Sequence, residues 1–202
     1  MYTLYYLPGA CSRAILTLLI ELDQPVKLID RTTVDRYSDI NPTGQVPVLV
    51  DGDLTLREGA VIIQYLLEKH QSQMLPGDHK QRYQFLQDLM FANATVHPAY
   101  GRLFFIDATL AEPDQKAVAF DGAATALTTL WQIVEDRLAD APYMGGNEPN
   151  IVDLLLTVYA GWGPNFPVTI PLGPRAERMI EGVTSLPSFA EAVRRENATS
   201  NP

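Results

Sequence analysis

The chain has 202 residues, 47% of them apolar and 19% charged, the composition of an ordinary globular protein with enough length for a sizeable core and one or two domains. Its net charge of −9 and pI near 4.7, with no concentrated basic patch to offset them, exclude a nucleic-acid binder, because such a surface repels a phosphate backbone. One cysteine forms no internal disulfide, three scattered histidines make no zinc site, and no apolar tract reads as long enough to cross a bilayer.

The N-terminus lacks a basic segment followed by an apolar core and a cleavage site, so the expectation is a cytoplasmic protein that does not enter a membrane. Residues 2–7 have the aromatic and aliphatic content of a short strand, and Pro8-Gly9 ends it in a turn. From Cys11 onward, Ala14, Ile15, Leu18, Leu19 and Leu22 recur at helical spacing, which puts Cys11 and Ser12 in the first turn of a helix. Unpaired N–H groups and the positive end of the helix dipole favour an anion there, either a Cys11 thiolate or the thiolate of a bound substrate. That setting predicts a Cys11 pKa below the free value of about 8.5. A small buried thiol that merely packs is the other reading of a lone cysteine.

Residues 25–30 read as a second strand, joined to the first by a parallel crossover. The polar stretch 31–45 reads as a loop with one helical turn. Asn41-Pro42-Thr43-Gly44-Gln45-Val46-Pro47 then sets turn chemistry ahead of an apolar strand, and Pro47 belongs at its start or at an edge, where a lost ladder hydrogen bond is tolerated. Asp51-Gly52-Asp53 is a hairpin turn, residues 54–57 return antiparallel, and Glu58-Gly59 opens an amphipathic helix carrying Ala60, Ile62, Ile63, Leu66 and Leu67. The order is βαβ followed by ββα.

Residues 71–77 form a polar linker with Pro76-Gly77, and strand patterns vanish beyond it, so the expected domains are 1–76 and an all-helical 77–202. Asp78 caps a long helix whose apolar stripe runs through Phe85, Leu89, Ala92 and Val96; exposed, that stripe would suit a two-fold partner. Pro98 should kink the helix just after His97. A second long helix covers 114–139, Asn150 and Asp153 form a capping box ahead of an apolar helix reaching Trp162, and short helices near 175–182 and 187–196 finish the chain.

Taken together, Pro-Gly-Ala-Cys-Ser after the first strand, Asn-Pro-Thr-Gly-Gln-Val-Pro before the third and Leu-Arg-Glu-Gly-Ala opening a helix resemble the glutathione transferase family. The similarity is greatest to its bacterial beta class, in which a cysteine follows Pro-Gly-Ala and Glu-Gly stands where other classes carry Glu-Ser or Asp-Ser. The resemblance implies a thioredoxin-like N-terminal domain, an all-helical C-terminal one, glutathione between them as co-substrate with no other cofactor or metal, and a homodimer. It implies detoxification by conjugating glutathione to electrophilic apolar substrates, with thiol-disulfide exchange through Cys11 as a further activity. A glutathione-dependent isomerase or dehalogenase, or a non-catalytic glutathione-binding regulator, is the alternative on the same fold.

The resemblance also distributes roles. Cys11 and His97 would face the glutathione sulfur, although Pro98 departs from the usual pattern beside that histidine. Gln45, Val46 and a cis Pro47 would carry the peptide, with the Val46 N–H and C=O pairing with its cysteinyl part as an added strand. Read from the residues alone, Pro47 would be a trans proline at a strand start. Glu58 would meet the γ-glutamyl ammonium and the Gly59 N–H its carboxylate, whereas an isolated helix-start glutamate only complements the dipole. Arg36, with Arg31 second, would take the glycyl carboxylate; Tyr5 and Trp162 read as core.

Overall fold

The computed structural model describes residues 1–199. Strand β1 (Tyr2–Tyr6) alternates buried Tyr2, Leu4 and Tyr6 with half-buried Thr3 and Tyr5, the period-two pattern that its β-branched and aromatic residues favour. Helix α1 (Ser12–Glu21) buries nearly its whole length, from Ser12 to Leu19 apart from Arg13. It returns the chain to β2 (Val26–Asp30), which pairs parallel to β1 as the crossover requires. Two 3-10 turns, Arg31–Thr33 and Tyr37–Asp39, occupy the stretch expected to hold one helical turn. Strands β3 (Val48–Asp51) and β4 (Leu54–Leu56) form the expected hairpin around Gly52, whose φ of +59° suits glycine, and α2 (Gly59–Lys69) follows. The sheet order is β2-β1-β3-β4, with β3 antiparallel to β1.

All later elements are helical: α3 (His79–Met90), α4 (His97–Thr109), α5 (Pro113–Arg137), α6 (Ile151–Ala160), α7 (Pro174–Thr184) and α8 (Pro187–Thr199). The Asp78 side chain accepts the Gln81 N–H at 2.9 Å, so the expected cap on α3 is present. The capping box on α6 is complete: Asn150 Oδ1 accepts from the Val152 N–H and Asp153 Oδ2 from the Asn150 N–H, each at 2.8 Å. The expected boundary at residues 76 and 77 falls in the polar linker ahead of α3. The chain divides into two compact units inside α3: Met1–Tyr83 together with the segment from Thr184, and Gln84–Val183.

Within the first unit α8 packs on α1 and β2, and Ser188 Oγ donates to the Glu21 carboxylate. Within the second, α4 packs on α5, and the buried Trp131 indole donates to the Tyr100 hydroxyl at 2.9 Å.

Two expectations are corrected. The Phe85, Leu89, Ala92 and Val96 stripe is not a free face: all four side chains are at most 5% exposed within the chain itself. Ahead of Pro98 the turn widens to a π-helix over Phe91–Val96, in which the His97 N–H reaches back five residues to the Ala92 carbonyl. That wider register makes room for a ring with no N–H to offer, and α4 continues. Finally, α5 is by length and composition alone apolar enough to cross a membrane, a criterion the core helix of a soluble protein also meets.

Candidate functional site

The topology gathers most of the sequence-predicted residues at one end of the sheet. Because β1 is parallel to β2 and antiparallel to β3, its exit at Tyr6 lies beside the exit of β2 at Asp30 and the entry to β3 at Val48; β4, antiparallel to β3, also leaves there at Leu56. Four connections therefore emerge on one edge: Pro8 to Cys11, the 31–47 loop in two places, and Arg57-Glu58 leading into α2. The Arg57 Nε–H donates to the Ile40 carbonyl at 2.8 Å and ties two of them together.

Cys11 is the N-cap of α1 and only 9% exposed. Its thiol donates to the Val46 carbonyl at 3.5 Å, a direct contact between the cysteine and the loop before β3. The Val46–Pro47 peptide is cis, as the resemblance implies. The expectation of an acidic thiol fails. The Cys11 and Ser12 N–H groups do lower its pKa, but burial outweighs them and pushes it up to about 11.

The loop around Val46 is held by its own side chains. The Tyr37 hydroxyl and Asn41 Nδ2 both donate to the Gln45 carbonyl, at 3.0 and 2.8 Å, leaving the Gln45 side chain exposed. Arg31 Nη1 donates to the Gly44 carbonyl, and its guanidinium lies over the Tyr37 ring at 5.9 Å, so this arginine sits against the loop. Arg36 does not: its side chain is 84% exposed and, among the described residues, pairs only with Asp39, at 3.4 Å. Glu58 is exposed, in extended conformation as the N-cap of α2, with no capping hydrogen bond from its side chain; Gly59 is the first helical residue. Both are thus placed where a ligand's charged end would find a carboxylate and an open helix start.

One residue of this region was missed. Glu196, on α8 and fully buried, accepts from the Gly9 N–H at 3.1 Å and from Arg13 Nε at 2.8 Å, with Nη2 also at 2.8 Å, and its carbonyl accepts from the Tyr6 hydroxyl at 3.3 Å. It grips both sides of the Pro8 to Cys11 turn. Ser12 Oγ adds bonds to the Leu7 N–H and carbonyl, at 3.4 and 3.3 Å. No sequence signal separates Glu196 from a surface glutamate; only the approach of α8 to α1 does.

His97 belongs to the second unit. It stacks on Tyr159 with ring centroids 5.0 Å apart and planes 8° from parallel, with Trp162 at 5.1 Å. Burial pulls its pKa below the ordinary value, so the imidazole is neutral at pH 7. Trp162 is buried in this cluster, and Tyr5 lies 5.8 Å from Tyr37 in the first unit.

Residues 4–83 match the model of the glutathione S-transferase N-terminal domain. Glutathione S-transferase GST-4.5 of Xanthomonas campestris pv. campestris is 31% identical over 165 residues, which span 79% of this chain and 81% of that protein. The chain belongs to the glutathione S-transferase family. Among solved structures, the glutathione S-transferase from Xylella fastidiosa has a TM-score of 0.86 at 26% identity, covering 98% of this chain and 99% of that one. The bacterial beta class glutathione S-transferase of Sphingomonas chungbukensis has a TM-score of 0.82 at 26% identity, covering 96% and 98%. The motifs around Cys11, Pro47 and Glu58 therefore sit in a glutathione S-transferase N-terminal domain with beta-class neighbours.

Proposed function

We propose that this glutathione S-transferase binds glutathione at the sheet edge formed by Cys11, Gln45, Val46, Pro47, Glu58 and Gly59, and conjugates it to electrophilic apolar substrates. The observation that carries the reading is the Cys11 thiol within hydrogen-bond reach of the Val46 carbonyl, beside a cis Val46–Pro47 peptide and at the start of α1. An extended peptide laid along Val46 would take main-chain hydrogen bonds there and bring its own sulfur to the Cys11 side. The first-turn N–H groups of α1 stabilise a thiolate at that point.

In the reaction the glutathione sulfur forms a bond to the electrophilic carbon, the leaving group departs with the electron pair, and the thiol proton passes to solvent. A buried, protonated Cys11 serves as a hydrogen-bond donor to the substrate thiolate. The resemblance assigns His97 to the same sulfur, where a neutral imidazole acts by hydrogen bonding. For the glycyl carboxylate we favour Arg31 over Arg36, since Arg31 is held against the Gly44–Gln45 loop. Residues 1–76 serve as the glutathione-binding domain and residues 77–202 as the substrate-binding one, and the chain acts as a cytoplasmic homodimer in detoxification.

Retention on immobilised glutathione, followed by turnover of an aryl halide, tests this. Binding with conjugation supports it; absence of retention and of turnover overturns it, and retention without turnover reduces the protein to a glutathione-binding regulator.

A further inference from the structure

The second unit contains a cavity of about 510 Å³ between the segment that follows α5 and the first half of α7, lined by Leu138, Asp140, Pro142, Tyr143, Arg175 and Arg178 among others. Its walls are fixed by close approaches. Glu135 is buried, and its Oε2 accepts the Arg175 and Ala176 N–H groups at 2.9 and 3.0 Å, while Arg175 Nη1 lies 3.3 Å from Oε1. That approach needs Gly173, at φ +93°, where a Cβ would stand 2.6 Å from Glu135 Oε2. On the other wall the Tyr143 hydroxyl lies over Gly182, where a Cβ would stand only 2.2 Å from it. Gly173 thus admits the Glu135 carboxylate that holds Arg175, and Gly182 admits the Tyr143 ring that lines the cavity.

The charges around this space are only partly spent on one another. The Glu135 carboxylate is shared between the start of α7 and Arg175, whose side chain stays 43% exposed. Arg178 and Asp140 line the same space, and neither forms an ion pair among the described residues. The C-terminal end of α5, whose C-cap is Leu138, adds the negative end of a helix dipole on the Asp140 side. A simple anion drawn to the arginines would be repelled by Asp140 and that helix end, and a cation would meet the reverse. Leu138 and Pro142 supply apolar surface between the charges, and the volume is in the range of small-molecule sites, roughly 300–1,000 Å³.

We propose that this cavity binds a small zwitterion, a free amino acid or dipeptide, with its carboxylate on Arg178 and Arg175 and its ammonium on Asp140. The inference does not rest on the proposed function, because every residue it uses lies in the second unit.

The test titrates the full chain with glycyl-leucine, its N-acetyl form and its C-terminal amide, by calorimetry and by amide chemical shifts, the shifts of residues 138–143 and 175–178 separating this cavity from any peptide site in the first unit. The expected result is saturable millimolar binding of glycyl-leucine, with each blocked form at least about tenfold weaker. Arg178→Ala should abolish the preference for the free carboxylate over the amide, and Asp140→Asn the preference for the free ammonium over the acetyl form. Equal binding of free and blocked dipeptides, binding unchanged in both variants, or no saturable binding would each overturn the proposal. Retention of both variants on immobilised glutathione reads the first unit separately, so failure here and failure of the proposed function are distinguishable.

Discussion

Cys11 should be a slow thiol in the ligand-free protein. Its pKa is pushed up to about 11 because removing a thiolate from water outweighs the two N–H groups at the start of α1. About two units leave roughly a hundredfold less thiolate at pH 7, a difference of about 3 kcal/mol between protonation states. Part of that is returned, since a more basic thiolate is intrinsically more nucleophilic; with a Brønsted coefficient of about 0.4–0.5, two units recover roughly six- to tenfold. The net expectation is alkylation by iodoacetamide roughly ten to fifteen times slower than for a thiol of ordinary pKa. A side chain only 9% exposed slows it further. Intact-mass kinetics from about pH 6 to about pH 9.5 would show the logarithm of the rate rising with unit slope throughout. A plateau reached by about pH 8 would refute the reasoning and restore an activated thiolate.

The other expectations are shorter. Glu58→Ala should raise the apparent KM for glutathione roughly tenfold with little change in kcat, near the lower end for a charge-assisted hydrogen bond because Glu58 is exposed; unchanged affinity for glutathione would remove it from the site. Asp153 has its pKa raised to about 6 by burial, so the folded state keeps a proton that the unfolded chain has lost, and stability should fall as pH rises from about 4 to about 6, by up to about 3 kcal/mol. Denaturant midpoints across that window should lose this slope in Asp153→Asn, and a wild-type stability that rises instead reverses the sign of the argument. A homodimer requires a solution mass of twice 22.4 kDa at micromolar concentration. Large apolar side chains left exposed on the chain, Tyr83, Met90, Phe105 and Val118, are the surface to mutate if that mass is found.

What was legible in the sequence is what local chemistry decides. Pro8-Gly9 after an aromatic run, Asp51-Gly52-Asp53 between two short strands and Asn150 three residues before Asp153 each dictate a backbone conformation within a few residues, and each is found. The π-turn ahead of Pro98 was not legible, because a proline inside a helical pattern has more than one remedy and the choice depends on what the flanking turns pack against. Arg31 and Arg36 look alike in a polar loop; the two 3-10 turns aim one at Gly44 and the other at solvent. The Cys11 pKa was misjudged because the helix start is visible in the sequence and the depth of burial is not.

Glu196 braces the turn that carries this thiol without setting its acidity. Arg13, two residues beyond Cys11 on α1, is bound to Glu196 at 2.8 Å, and the same carboxylate takes the Gly9 N–H. Burial is the largest influence on Cys11, and the Cys11 and Ser12 N–H groups counter it without reversing it. Replacing Glu196 by Gln keeps an acceptor for Gly9 and removes the counter-charge of Arg13. The variant should lose about 3 kcal/mol by leaving Arg13 unpaired, while its Cys11 alkylation profile keeps the wild-type shape. Adding Arg13→Met should recover part of that stability, because the unpaired charge is gone. If Glu196→Gln remains folded by circular dichroism and its Cys11 profile moves to lower pH, the Arg13–Glu196 pair does reach the thiol, and burial alone is not what keeps it protonated.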